Sequence, residues 1–102
     1  MIVIFDNDYL ENLYEGKSVS GKPRFDKAVI KQFVAKINIL KNVENSYALR
    51  PFKSLNFEKL EGHENLYSIR VNIHYRIEFR LEGDRATLLE VAVIEELSNH
   101  YQ

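Results

Sequence analysis

Two runs of alternating apolar and polar residues within positions 66–81 give the clearest strand signal in the chain. Such alternation is typical of half-buried antiparallel strands. The apolar positions all carry odd numbers: Tyr67, Ile69, Val71, Ile77, Phe79 and Leu81. If both apolar faces share one core, directly paired positions must sum to an even number. The connection then holds an odd number of residues, most simply Ile73, His74 and Tyr75.

The opposite face of this predicted hairpin collects polar side chains: Ser68, Arg70, Asn72, Arg76, Glu78 and Arg80. Three guanidiniums share that face with a single carboxylate. Like charges on neighbouring strands repel one another, so the arrangement opposes folding. A planar guanidinium with five donors is well matched to phosphate, and the face is therefore suited to binding an anion.

Upstream of the hairpin, the pattern predicts one strand and two helices. Residues 2–5 form a short apolar strand, and the Asp and Asn residues that follow can cap a helix. Helical spacing of apolar residues covers positions 8–15 and ends at Gly16. After a polar loop, Pro23 suits the first turn of a second helix over residues 24–41. Its apolar stripe should pack on the sheet.

The rest of the chain completes the predicted sheet. Residues 42–62 are irregular and read as an extended connection with one turn of helix near 54–60. A tight turn at 82–85 precedes a strand at 86–94, which is apolar at nearly every position, as in an interior strand. The order is one strand, two helices and a three-stranded antiparallel meander. This predicts an α+β fold with its helices on one side of the sheet.

Composition narrows the functional classes. A chain of 102 residues is expected to fold as one domain over 1–102. The absence of cysteine excludes disulfides, thiolate metal sites and cysteine catalysis. No run of residues suits a membrane, so a cytoplasmic protein is expected. The net charge of −1 means that any polyanion site must be local. The three histidines lack metal-ligand spacing, and no cofactor is expected.

The residues that could carry chemistry are Arg70, Arg76 and Arg80 on the sheet, with His100 and Tyr101 at the tail. This set suits attack on a phosphodiester by the 2′-hydroxyl of RNA, because arginines on a rigid sheet can stabilise the charge of the phosphorane. Histidine titrates near neutrality and can transfer the protons. An aromatic side chain can stack an unpaired base.

Each candidate also has a structural interpretation. Arg70 could simply pair with Glu78 across the hairpin. Arg76 lies near the turn, where exposed arginine is common. His100 and Tyr101 lie in a terminal segment, and such segments commonly fray. The pattern alone does not decide between these interpretations and a catalytic role.

The sequence resembles the RelE/ParE superfamily of bacterial toxins, and most closely its HigB-like branch. The resemblance rests on LEG at 60–62, LYSIRVN at 66–72, YRIEF at 75–79 and IEELSNHY at 94–101. It covers nearly the whole chain. It implies a RelE-like fold and a ribonuclease that cuts messenger RNA in the ribosomal decoding site without a metal. It also implies a cognate antitoxin, commonly a helix-turn-helix DNA-binding protein in this branch.

The resemblance implies roles for particular residues. Arg70 and Arg76 would hold the scissile phosphate, and His100 would be the acid for the departing 5′-oxygen. Tyr101 would orient the base or the nucleophile. The substrate-binding residues implied beside them are Lys59, His63, Arg80 and Asn99. The chain departs from the family pattern in being nearly neutral and in carrying its tail histidine a few residues later.

Two further functions are compatible with the same fold. A ParE-like toxin would bind DNA gyrase and cleave nothing, and an inactive relative would act only as a binding module. The ParE-like branch is not expected to need a tail histidine. Proximity of His100 to Arg70 and Arg76 would therefore favour the nuclease.

Overall fold

A five-stranded sheet with two helices on one face forms the described part of the chain. The computed structural model describes residues 1–19, 25–84 and 89–99. The strands are β1 (Ile2–Phe5), β2 (Glu58–Lys59), β3 (Leu66–Arg70), β4 (Tyr75–Asp84) and β5 (Leu89–Asn99). The helices are α1 (Asp8–Glu15) and α2 (Lys27–Asn42), and two short 3₁₀ turns cover Ser46–Leu49 and Lys53–Leu55. None of the described helices has the length and apolar character needed to cross a bilayer.

The sheet has the order β1-β5-β4-β3-β2. β1 runs parallel to β5, and the other neighbours are antiparallel. The predicted α+β class, with its meander of three strands, is confirmed. The sequence predicted four strands, whereas the described chain adds β2, a two-residue strand on the edge of β3 that is too short to show a period in sequence.

α1 has the bounds that its pattern predicted, because a capping residue defines each of its ends. The Asn7 side chain accepts a hydrogen bond from the Leu10 amide at 2.9 Å and caps the first turn. Gly16 ends the helix with a left-handed φ of 77°, which glycine adopts at little cost. Leu10 and Leu13 are buried against the sheet.

α2 begins later than predicted. Its cap is Asp26, whose side chain accepts from the Val29 amide at 3.0 Å. The prediction from Pro23 was therefore wrong about the helix start, and Pro23 itself lies outside the described residues. The buried stripe of α2 packs into the same core as the odd-numbered face of β3 and β4: Val29, Phe33, Ile37 and Leu40.

The even-sum pairing of β3 with β4 is confirmed. Ile69 lies opposite Ile77, and both side chains are fully buried on the helix side. Arg70 is the last residue of β3 and lies opposite Arg76. The connection predicted at 73–75 is wrong at both ends, because β3 ends at Arg70 and β4 begins at Tyr75, so residues 71–74 join the two strands. The predicted turn at 82–85 is also wrong at its start, since β4 continues to Asp84.

Asn72 explains where the hairpin turns. Its Oδ1 atom accepts hydrogen bonds from the backbone amides of His74 at 2.8 Å and Tyr75 at 2.9 Å. Such an Asx turn satisfies two amides that would otherwise lack partners. The Asn72 Nδ2 atom donates to Gln32 of α2 at 2.8 Å and ties the turn to the helix layer.

β5 is the interior strand that its apolar run predicted. Ala92, Val93 and Ile94 are buried in succession, so both faces of the strand are covered at this point. The predicted end at residue 94 is wrong, because pairing with β4 continues to Asn99. The segment predicted as a tail is therefore part of the sheet as far as Asn99.

A β-bulge in β5 allows this extension. Glu78 pairs with Glu96 while Phe79 pairs with Ile94, which leaves Glu95 as the extra residue. A bulge reverses the alternation of the residues that follow it.

The reversal sends Leu97 into the core. It also turns Ser98 to the opposite face, directly across from Arg76. Without the extra residue, these two side chains would exchange faces.

We predict that Asn72→Ala lowers the free energy of unfolding by about 1–2 kcal/mol, because two turn amides lose their acceptor. Asn72→Asp keeps the acceptor and should restore most of that loss. Urea unfolding followed by circular dichroism measures both. Equal losses in the two variants would instead assign the effect to the bond with Gln32.

Candidate anion-binding site

The sheet face opposite the helices, called here the open face, brings two predicted arginines together. In the strand register, Arg70 lies directly opposite Arg76, and Arg76 lies directly opposite Ser98. Directly opposed residues have Cβ atoms about 4.5–5.5 Å apart. Two guanidiniums therefore start from neighbouring points on a rigid sheet.

A shallow depression of about 250 Å³, including space open to solvent, lies at this end of the open face. Its lining is mostly polar: Asn56, Glu58, Ser68, Arg70, Asn72, Tyr75 and Arg76. Both arginines contribute to it. The depression thus has the side chains needed to hold a small anionic group.

Arg76 is held by a neighbour on its own strand. Its Nε atom lies 3.1 Å from Oε2 of Glu78, and the same oxygen accepts a hydrogen bond from the Ser98 hydroxyl at 2.8 Å. The side chains of Arg76 and Glu78 are only 22% and 15% exposed. Because both side chains are largely shielded from solvent, their interaction is screened less than that of an exposed surface salt bridge.

Arg70 is the half-buried cation of the depression. Within residues 1–19, 25–84 and 89–99, its guanidinium has neither an ion pair nor a hydrogen bond. The pairing of Arg70 with Glu78 considered from sequence is not found, because Glu78 bonds Arg76 instead. A positive charge without a carboxylate partner can attract an anion.

A carboxylate that the sequence analysis did not select faces the same depression. Glu58 of β2 lies opposite Ser68, which lies opposite Glu78. Glu58 is exposed and forms no ion pair within the described chain. The sequence signal for Glu58 would be the alternation of side chains in the strand that follows Asn56. A strand of two residues is too short for that alternation to be recognised.

Arg80 lies on the open face but away from the arginine pair. It lies four positions after Arg76 along β4, a distance of about 13 Å. Its guanidinium bonds Glu82 at 3.1 Å, contacts Glu95 and lies 4.0 Å from Asp6. The hydrogen bond to Glu82, followed by that to Glu95, raises the pKa of Arg80 above its usual value. Three carboxylates already neutralise this residue, so it is not part of the site.

Two other predicted binding residues do not reach the depression. Lys59 pairs with Tyr67, so alternation directs it toward the helix side. His63 is an exposed residue before the start of β3, whereas Arg70 is at its end, about 13 Å further along the strand.

The end of β5 lies beside the depression, opposite two of its lining residues. Asn99 is exposed and pairs with Tyr75, one of the lining residues, although alternation places Asn99 on the helix side. The predicted catalytic residues His100 and Tyr101 lie outside the described residues.

A larger depression of about 410 Å³ lies between α1 and β5. It is lined by Asn7, Tyr9, Leu10, Phe25, Glu95, Glu96 and Leu97. This lining contains two acidic residues and no lysine or arginine, so it does not suit an anion. Among the described residues, no group of histidine and acidic side chains could hold a metal ion.

Comparison with known proteins gives a family and a fold. A family model described as a RelE-like toxin of the type II toxin-antitoxin system HigB matches residues 3–93. That range contains Arg70 and Arg76 but not residues 94–102. None of the curated proteins matches the sequence significantly.

A solved structure described as a YoeB/ParE toxin from Agrobacterium tumefaciens has a similar fold. The TM-score is 0.56 at 18% sequence identity, and the match covers 99% of this chain and 100% of that one. At this identity, the likeness concerns the fold alone.

We predict that inorganic phosphate raises the melting temperature relative to chloride at equal ionic strength. At about ten times its Kd, phosphate would add about 1.4 kcal/mol, or about 5–10 °C for a domain of this size. Arg70→Ala and Arg76→Ala should lose this increment, and Arg80→Ala should keep it. Loss in the Arg80 variant alone would move the site away from the arginine pair.

Proposed function

This chain belongs to the HigB-like family of RelE-like toxins and is the toxin of a type II toxin-antitoxin system, and we propose that it is an endoribonuclease that cleaves messenger RNA on the ribosome. The observation that carries the proposal is the Arg70–Arg76 pair on the open face, with Arg70 unpaired in the described chain. The family implies an antitoxin partner. We propose a helix-turn-helix DNA-binding protein in that role.

The proposed reaction uses the 2′-hydroxyl of the RNA itself. Its oxygen attacks the adjacent phosphorus and forms a new P–O bond while the bond to the 5′-oxygen breaks. A base takes the 2′-proton, and an acid gives a proton to the departing 5′-oxygen. The products are a 2′,3′-cyclic phosphate and a 5′-hydroxyl. Negative charge grows on the phosphorane, and preorganised donors stabilise it.

Arg70 and Arg76 are the proposed donors to that phosphorane. Guanidiniums fixed on strands keep their positions during the reaction, so little reorganisation opposes it. Glu58 is the proposed base. It faces the same depression as the two arginines, and its carboxylate has no ion-pair partner in the described ranges. An unpaired carboxylate is available to accept a proton.

His100 is the proposed acid, and Tyr101 would stack the base beside the scissile phosphate. The register of β5 supports this assignment, because Ser98 faces Arg76 and Asn99 pairs with Tyr75. Consecutive Cα atoms are about 3.8 Å apart, so residue 100 follows directly on a residue beside the depression. Alternation places Asn99 on the helix side, so the proposal gives it no contact with the scissile phosphate. The proposal gives Lys59, His63 and Arg80 no role at the scissile phosphate.

We predict that Arg76→Ala lowers the cleavage rate by about 10²–10³-fold with the fold intact, since it removes a donor used in the transition state. Arg70→Ala should have a similar effect. Mapping of new 5′ ends on messenger RNA in a purified translation reaction measures the rates. Arg80→Ala is the matched control, because it removes an arginine from the same strand outside the depression.

Histidine variants test the proposed acid separately. His100→Ala should slow cleavage by about 10²-fold or more, whereas His74→Ala, in the hairpin turn, should stay near the wild-type rate. The ParE-like function would be favoured over the nuclease if the wild-type protein arrests growth and inhibits gyrase supercoiling but leaves messenger RNA intact. Cleavage by Arg76→Ala at the wild-type rate would remove the arginine pair from the mechanism.

A further inference from the structure

Glu78 presents a contradiction for an anion site. Its carboxylate lies beside Arg76, where its negative charge lowers the attraction of the depression for phosphate. Its side chain is only 15% exposed, so the charge is also partly desolvated. A carboxylate kept in this position needs a compensating contribution.

The hydrogen bonds of Glu78 indicate that contribution. Oε2 accepts from Arg76 Nε at 3.1 Å and from the Ser98 hydroxyl at 2.8 Å, so one oxygen joins β4 to β5. An arginine has five N–H donors. The bond through Nε fixes the plane of the guanidinium and leaves the Nη1 and Nη2 donors for another acceptor.

Ser98 reaches Glu78 only because of the bulge at Glu95. Without that extra residue, alternation would direct Ser98 to the helix side. The bulge therefore places a hydroxyl behind the carboxylate that holds Arg76. It does so at the end of β5, next to Asn99.

We infer that Glu78 and Ser98 are positioning residues that orient the Arg76 guanidinium toward the scissile phosphate. The inference rests on the proposed ribonuclease function and deepens it. Glu78 weakens the attraction for the substrate in the ground state and increases transition-state stabilisation, because a fixed donor needs no reorganisation during the reaction.

The chain contains a matched control for this arrangement. Arg80 and Glu82 repeat it four residues further along β4, with the same spacing and the same Nε–Oε2 distance of 3.1 Å. That pair lies outside the depression. Glu82→Gln therefore reports the general effect of removing such a carboxylate from this strand.

The kinetic experiment compares Glu78→Gln with Glu82→Gln. Glu78→Gln should lower kcat by about 10–100-fold, because the guanidinium is less well oriented. Its Kd for an RNA with a 2′-deoxy nucleotide at the cleavage site should stay unchanged or tighten, by at most about fivefold, since a repelling charge is lost. Glu82→Gln should leave kcat and Kd near the wild-type values. Ser98→Ala should lower kcat by about fivefold, and Ser98→Thr, which keeps the hydroxyl, should restore it.

A second measurement does not depend on activity. In protein labelled with ¹⁵N-arginine, solvent exchange of the Arg76 Nε–H should be slow in the wild type and faster in Glu78→Gln and Ser98→Ala. The Arg80 Nε–H should respond only to Glu82→Gln. Faster exchange at Arg76 without a kcat loss would overturn the positioning role.

The remaining outcomes separate the two proposals. A rise in kcat for Glu78→Gln would make the carboxylate a simple charge mask and overturn the inference. If Glu78→Gln lowers kcat, weakens RNA binding and lowers the melting temperature together, Glu78 has only a structural role. That result would also overturn the inference. Absence of cleavage by the wild-type protein would overturn the ribonuclease function, and with it the inference, whatever the exchange rates show.

Discussion

The register of three antiparallel strands is the constraint on which the site depends. Strand side chains alternate between faces, so a slip of one residue in β3 or β4 would turn Arg70 or Arg76 toward the core. The β3–β4 pairing buries Ile69 opposite Ile77 and thereby fixes Arg70 opposite Arg76. The hydrophobic contacts that stabilise the fold thus also determine where the cations lie. The bulge in β5 extends the same control to Ser98.

The electrostatics of the open face follow from this register. Arginine and glutamate side chains alternate along the open face of β4. Most of their charge is neutralised locally, since Glu78 neutralises Arg76 and three acidic residues neutralise Arg80. Within the described chain, Arg70 keeps its charge unpaired. A protein with a net charge of −1 can therefore present a local anion site without a basic surface.

Much of the fold could be predicted from sequence, because its signals are local. The bounds of α1 follow from Asn7 and Gly16, and the even-sum pairing follows from two alternating runs. The predicted start of α2 was wrong because the prediction relied on Pro23, whereas the side chain of Asp26 caps the helix. Capping is decided by a side-chain hydrogen bond, which the apolar stripe does not reveal.

The site was only partly predictable because it is assembled by non-local pairing. Alternation within the hairpin selected Arg70 and Arg76, but Glu58 lies on a strand that exists only through its pairing with β3. The extension of β5 depends on a bulge. Its one sequence signal is the spacing of Ile94 and Leu97, both of which are buried.

A crystal structure with a non-cleavable RNA tests the central claim most directly, because it shows where the phosphate lies relative to the sheet. The account predicts the scissile phosphate on the open face, with oxygens about 2.7–3.0 Å from guanidinium nitrogens of both Arg70 and Arg76. A phosphate bound elsewhere, or guanidiniums on opposite faces of the sheet, would contradict it.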